Sequence, residues 1–184
     1  MSDRASALGP DFKPGQFGNL TGGIGVHLSE TAFGFLGELA AFPDALDKIE
    51  KLVLAASKPQ DITVFKIAAN RWFLAGPATL GDTISTKLKP SDGSLIDLTH
   101  GRTALRISGP KAGWVLSKLY AIDFSPAALP AGTGLSTAHH SIFTQIYRRD
   151  AQTFDLFIFR SFARSFWHTL QRAAEETGYE VGKG

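Results

Sequence analysis

The stretch of residues 95–119 constrains the fold more than any other part of the sequence, because strand, turn and helix signals follow one another there without a gap. Residues 95–98 and 102–107 alternate apolar and polar side chains, as half-buried strands do, and the break between them predicts a hairpin. Gly109 and Pro110 then predict a structural turn, since glycine permits unusual backbone angles and proline suits a first helical turn. A helix is expected next, because apolar residues recur at helical spacing: Ala112, Val115, Leu116 and Leu119.

The same order of strand, turn and helix occurs twice more in the chain. Residues 72–75 lead through Gly76 and Pro77 into a helical pattern, and residues 154–159 lead into a second helical pattern that begins near Phe162. Weak repeats of this mixed kind predict an α+β fold, in which helices are layered on antiparallel sheets.

The remaining segments are predicted from the same signals. A strand is expected at residues 33–41, followed by a helix from Pro43 that Asp44 caps. Residues 120–136 contain prolines and glycines and are interpreted as a surface connection. Further hairpins are expected to join residues 62–67 to 72–75 and residues 139–147 to 153–160.

The predicted organisation is one compact unit with two ends outside it. Residues 1–30 are rich in glycine and predict an extended arm, with at most a short strand at residues 24–26, and residues 179–184 are expected to be a tail. Residues 31–178 are expected to form two subdomains, at about 31–92 and 93–178, and an exchange of strands between them is left open.

Composition excludes several classes of function. The net charge is +2 and basic residues are scattered, so no concentrated surface for nucleic acid is predicted. No apolar run is long enough to span a bilayer and no signal-like start is seen, so a cytoplasmic protein without a membrane partner is expected. The absence of cysteine excludes disulfides, thiol nucleophiles and sulfur-ligated metals.

Residue patterns predict no catalytic, cofactor-binding or metal-binding residue in this chain. His168, in the last predicted helix, has no carboxylate or second histidine three or four residues away, and His139 and His140 would point to opposite faces of a strand. The glycines at residues 21–25 lack the lysine of a phosphate loop, and no dinucleotide or nucleophilic-serine motif is present.

Aromatic residues near the C-terminus instead predict a contact surface. Apolar side chains lie on both faces of the strand at 154–159, so it is either covered on both sides within the chain or covered by another chain. Arginines beside large aromatics are typical of interface anchors, which gives these candidate partner-contact residues: Phe157, Phe159, Arg160, Arg164 and Trp167.

Several motifs in a fixed order carry a family resemblance. They are residues 97–103 (DLTHGRT), 106–112 (RISGPKA) and 160–163 (RSFA) with Phe166-Trp167, preceded by residues 70–74 (NRWFL) and Gly76-Pro77. Together they resemble the gamma subunit of heterotetrameric sarcosine oxidase over roughly residues 33–178. That family is similar in fold to the tetrahydrofolate-binding aminomethyltransferases of glycine cleavage, so the resemblance implies two ferredoxin-like βαββαβ subdomains.

The resemblance also implies a function and partners. The complex would demethylate sarcosine oxidatively to glycine, forming hydrogen peroxide and passing the one-carbon unit to tetrahydrofolate. FAD, FMN and NAD would lie on the alpha and beta subunits and zinc on the delta subunit, while the gamma subunit would brace them without catalytic residues. The alternative is a free-standing folate-binding or one-carbon-transfer domain, which needs a carboxylate and stacking aromatics. The sequence alone identifies no such carboxylate.

Overall fold

The computed structural model describes residues 5–59 and 61–182. In this part of the chain the strands and α-helices are, in order, β1 (Gly15–Phe17), β2 (Val26–Thr31), β3 (Phe35–Ala41), α1 (Leu46–Ala56), β4 (Thr63–Ala68), β5 (Arg71–Gly76), α2 (Thr79–Lys87), β6 (Gly93–Asp97), β7 (Arg102–Ser108), α3 (Ala112–Ser117), β8 (Thr133–His139), β9 (Ile142–Arg148), β10 (Thr153–Phe159), α4 (Ala163–Ala174) and β11 (Tyr179–Val181). None of the described helices is long and apolar enough to cross a membrane. The mixed α+β fold is confirmed.

The chain divides into two compact units. The smaller unit is Phe33–Arg102, and the larger unit combines the described parts of residues 1–32 and 103–184. The smaller unit is a βαββαβ arrangement whose antiparallel sheet has the strand order β4-β5-β3-β6. This is the ferredoxin-like topology, in which two strands joined through a helix are separated by a third.

Helix α1 shows why the smaller unit folds as its sequence predicts. Ile49 and Val53, one helical turn apart, are buried in its core cluster, and Leu46, Leu52 and Ala56 pack against that cluster. The prediction that Asp44 caps this helix is wrong. The 3₁₀ turn Pro43–Ala45 leads into the helix, and no side chain caps either of them.

The larger unit has a seven-stranded sheet with the order β1-β11-β2-β7-β10-β9-β8. Strand β7, helix α3, the β9–β10 hairpin, helix α4 and strand β11 repeat the βαββαβ order, but β2 lies between β7 and β11. The core cluster takes alternate residues of these strands, including Leu28, Leu105, Ile107, Leu156 and Ile158, together with apolar residues of α3 and α4.

The hairpin predicted from residues 95–98 and 102–107 is wrong. Strand β6 pairs with β3 in the smaller unit, whereas β7 pairs with β2 in the larger one. The residues between them form a turn in which Asp97 accepts a hydrogen bond from the Thr99 amide, 2.8 Å away. The division between units therefore falls at 102/103 and not at 92/93.

The predicted arm, tail and surface connection also need correction. Residues 15–17 and 26–31 are strands, and β2 is flanked on both sides in the sheet. Residues 179–181 form β11, which pairs with both β1 and β2; residues 183–184 lie outside the described residues. The segment after α3 places Tyr120, Phe124 and Leu129 in the core cluster. It is not simply a surface connection, since Arg148 donates to the Phe124 and Leu129 carbonyls at 3.0 and 2.9 Å.

Candidate functional site

Two of the predicted contact residues lie inside the protein. Trp167 on α4 and Phe157 on β10 have no exposed area within this chain alone. The Trp167 ring packs against Phe12, with ring centroids 6.2 Å apart. A side chain without exposed area cannot touch another subunit, so the alternative of coverage within the chain holds for these two residues.

The predicted arginines bind the N-terminal segment, residues 5–12. Arg160 donates to the Ala5 carbonyl at 2.6 Å, and Arg164 forms an ion pair with Asp11. The hydrogen bond from the Arg164 guanidinium holds the pKa of Asp11 below its usual value. Leu8, in the middle of this segment, is completely buried. The sequence does not reveal this docking, because no local pattern relates residues separated by more than 150 positions.

Glu30 on β2 holds the same segment from the other side. Its carboxylate accepts hydrogen bonds from the Ser6 hydroxyl and, at 2.8 Å, from the Ala7 amide. Thr103 on β7 donates to the same carboxylate at 3.1 Å. The N-terminal segment is therefore part of the larger unit's architecture and not a free arm.

Three exposed phenylalanines remain as the apolar surface of this region. Phe159 is 40% exposed, Phe162 is 39% exposed and Phe143 is 36% exposed. In the β9–β10 pairing Ile158 lies opposite Thr144, so Phe159 and Phe143 come next to each other at the end of the ladder. Phe162 follows one 3₁₀ turn later. We call these three residues the phenylalanine patch.

The Gly109 turn has the geometry that only glycine adopts easily. Its φ is +119°, and a Cβ added there would lie 2.7 Å from the Gly25 carbonyl oxygen. The neighbouring Lys111 amide donates to that same carbonyl at 3.1 Å, so the backbones on either side of the turn are tied together. Pro110 lies two residues before α3 rather than inside it.

A cavity of about 380 Å³ brings together an aromatic ring and a carboxylate, the combination that a folate site would need. Its walls include Trp114, which is 44% exposed, together with Lys111 and Glu176. The Lys118 ammonium lies 3.7 Å from the centroid of the Trp114 ring and 2.8 Å from a Glu176 carboxylate oxygen. The Glu176 carboxylate and one face of the Trp114 ring therefore both contact the Lys118 ammonium. A pterin ring would have to compete with that ammonium for both groups.

Three of the histidines lie beside an oxygen atom of this chain, and the rings of His139 and His140 lie against each other with centroids 4.3 Å apart. His139 Nδ1 lies 2.8 Å from the Leu119 carbonyl oxygen, His168 Nε2 lies 3.4 Å from Asp11, and His27 Nδ1 lies 3.0 Å from Glu180. His139 and His140 are not consecutive strand residues, since His140 has φ +50° in the turn after β8. Among the described residues no group of three histidines or carboxylates could hold a metal ion.

Comparisons with known proteins place this arrangement in a family. A search of curated proteins finds no match. In a heterotetrameric sarcosine oxidase from Corynebacterium sp. U-96, one chain is similar with a TM-score of 0.73 and 24% identity, covering 83% of this chain and 85% of the other. A glycine cleavage aminomethyltransferase T from Bartonella henselae gives a TM-score of 0.59 and 16% identity, over 87% of this chain and 48% of that one. These two likenesses confirm the fold that the resemblance implies.

A family model settles the membership. The model of the sarcosine oxidase gamma subunit family matches residues 40–176, which include both ferredoxin-like helix pairs and the turn at Gly109. The match covers more than half of the 184 residues. The chain therefore belongs to the sarcosine oxidase gamma subunit family.

Proposed function

We propose that this chain is a non-catalytic gamma subunit that braces the alpha, beta and delta subunits of a sarcosine oxidase-type heterotetramer. The complex would convert sarcosine to glycine, with hydrogen peroxide as one product and the one-carbon unit passed to tetrahydrofolate. FAD, FMN and NAD would lie on the alpha and beta subunits and zinc on the delta subunit.

One observation carries this proposal: the family match extends over residues 40–176. The match includes parts of both units, so it is not explained by one common ferredoxin-like module. The carboxylate and the aromatic ring in the wall of the 380 Å³ cavity, Glu176 and Trp114, are both in contact with Lys118, which favours a structural role over binding of folate.

The phenylalanine patch is the part of the chain that we assign to contact with the other subunits. Aromatic side chains that stay about two-fifths exposed in the folded chain gain hydrophobic stabilisation when a partner buries them. Arg160, which lies between Phe159 and Phe162, adds a cation of the kind that is enriched at interfaces.

Co-expression of this chain with the other three subunits tests both parts of the proposal. The tagged chain should retain the three subunits and the visible absorbance of bound flavin through purification. If it elutes alone while the other three assemble into a fully active oxidase, the proposed function is wrong.

Matched variants test the patch separately. The double change Phe159→Ala and Phe162→Ala should leave the isolated chain folded and weaken assembly at least tenfold, as loss of two interface anchors does. Phe42→Ala is the control, because Phe42 is 47% exposed but lies in the other unit. Equal assembly by the double variant and the control would exclude the patch while leaving the family membership intact.

A further inference from the structure

The sheet face of the larger unit that lies opposite its core carries a polar cavity of about 300 Å³. Its walls include His27 and Ser29 on β2, Arg106 and Ser108 on β7, and Glu180 on β11. The strand pairing places Ser29 opposite Arg106 and His27 opposite Ser108. The alternate residues of the same strands, such as Leu28 and Ile107, point to the core, so these polar residues share the opposite face of the sheet.

Arg106 is held in one orientation by a buried carboxylate. Its Nε and Nη2 atoms lie 2.7 and 3.2 Å from the two oxygens of Asp155, which is completely buried. These contacts leave Nη1 without a hydrogen bond among the described residues, on a side chain that is 25% exposed. A guanidinium fixed in this way has already lost its rotamer freedom, so a ligand that it binds does not have to order it.

Asp155 is shared by two guanidinium groups, because it also forms an ion pair with Arg149. The Asp150 carboxylate is a second negative charge that acts on Arg106, so the site offers an anion a fixed hydrogen-bond donor rather than an excess of positive charge. A partly buried guanidinium still attracts an anion more strongly than an exposed one does, because the lower dielectric weakens screening.

The neighbouring groups supply further hydrogen-bond donors. The Ser29 and Ser108 hydroxyls have no hydrogen-bond partner among the described residues, and Ser29 is only 8% exposed. Arginine and hydroxyl donors that converge on one cavity match an oxygen-bearing anion. Glu180 opposes such a ligand, but its carboxylate pairs with His27, and His27 lies between Glu180 and Ser108 in the sheet.

We propose that this cavity binds a small oxyanion, with Arg106 Nη1 and the hydroxyls of Ser29 and Ser108 as its donors. Carboxylates and phosphates share this chemistry, and inorganic phosphate and acetate are the two probes that distinguish them. The proposal is independent of the role of the chain as a subunit, because it rests on the larger unit alone.

Titration of the isotopically labelled full chain by nuclear magnetic resonance tests the proposal, with chloride keeping the ionic strength constant. Phosphate or acetate should cause saturable shifts of the amides around residues 27–29 and 106–108 below about 10 mM. Preference for one probe assigns the ligand class. No saturable shift with either probe at that concentration would overturn the proposal.

Variants make the test specific to the cavity. Arg106→Lys should weaken binding about tenfold, since it replaces a fixed fork by a flexible point charge. Ser29→Ala should weaken it about threefold without touching the Asp155 ion pairs, which keeps the test valid if the arginine variant fails to fold.

Glu180→Gln should strengthen binding, because a repelling charge is removed. Arg164→Lys is the matched control and should change nothing, since Arg164 pairs with Asp11 away from the cavity. Equal weakening by the control, or none in Ser29→Ala and Arg106→Lys, would contradict the assignment.

Discussion

The two units have related topologies but are assembled from the sequence in different ways. The smaller unit uses one continuous segment, Phe33–Arg102, and each of its strands pairs with a strand of that segment. The larger unit inserts β2, from the N-terminal part of the chain, between β7 and β11. The position next to β7, which the last strand of a simple ferredoxin-like unit would take, thus belongs to a strand from elsewhere.

This difference shows where local sequence signals are sufficient to predict the structure and where long-range contacts determine it. In the smaller unit each βα connection follows directly from hydrophobic periodicity and turn residues. In the larger unit the N-terminal segment, residues 5–12, is held by Glu30, Arg160 and Arg164, which are far away in sequence. Stability of the larger unit should therefore depend on single long-range contacts more than stability of the smaller unit does.

The largest effect is expected from Asp155→Ala in the larger unit. The change removes the carboxylate shared by Arg106 and Arg149 and leaves two partly buried cations, so the free energy of unfolding should fall by roughly 3–5 kcal/mol. Urea denaturation measures this loss. Asp47→Ala on α1 is the control, because Asp47 is exposed. A loss no greater than that of the control would show that the ion pairs do not support the sheet.

Leu8→Ala should destabilise the protein by about 2–5 kcal/mol, since the side chain is completely buried and its loss leaves a cavity. Leu54→Ala provides a matched change in the smaller unit, where Leu54 is 67% exposed, and should have little effect. Thermal unfolding of the two variants gives the comparison. Similar melting temperatures would mean that the N-terminal segment is not part of the larger unit's stable core.

Gly109→Val should cost roughly 1–3 kcal/mol, because it forces a branched side chain into a positive-φ conformation. The added Cβ would also press on the Gly25 carbonyl oxygen. Gly101→Val is the control, since the nearest atom to its Cβ is 3.8 Å away. Both free energies of unfolding come from urea titration. An unchanged value for Gly109→Val would remove the structural assignment of this turn.

The smallest effect concerns pH and the Asp11 ion pair. The hydrogen bond from Arg164 lowers the pKa of Asp11 in the folded protein, with His168 adding to the effect. A lowered folded-state pKa means that the stabilisation is present above the ordinary aspartate pKa of about 4 and is lost as pH falls through the folded value. Amide shifts of Leu8 and Phe12 should follow this loss on acidification. The response should be reduced in Asp11→Asn, and an identical acid titration in that variant would exclude Asp11 as its source.

The sequence predicted the elements better than their partners. The strand at 102–107 and the helix with Ala112, Val115 and Leu116 on its buried face were both found, because their signals are local. The hairpin assigned to residues 95–98 and 102–107 was wrong because both strands find partners elsewhere, and adjacency in sequence does not decide pairing.

The candidate site was predictable only in part. The aromatic surplus around β10 and α4 is real, but periodicity cannot tell which of Phe157, Phe159 and Trp167 remains exposed once other segments pack. The cavity formed by Trp114 and Glu176 was not predicted, since these residues lie on elements far apart in the chain. Likewise, Arg106 meets Asp155 and Arg149 only because β7 lies next to the β9–β10 hairpin.

The central proposal is that this chain stabilises an oxidase to which it contributes no catalytic group. The most direct test compares the assembled complex with a preparation from which only this chain is omitted, measuring sarcosine-dependent peroxide formation after incubation at increasing temperatures. We predict equal initial turnover per bound flavin at low temperature and earlier heat inactivation without the chain. Equal heat stability of the two preparations, or loss of turnover per flavin at low temperature on omission, would contradict it.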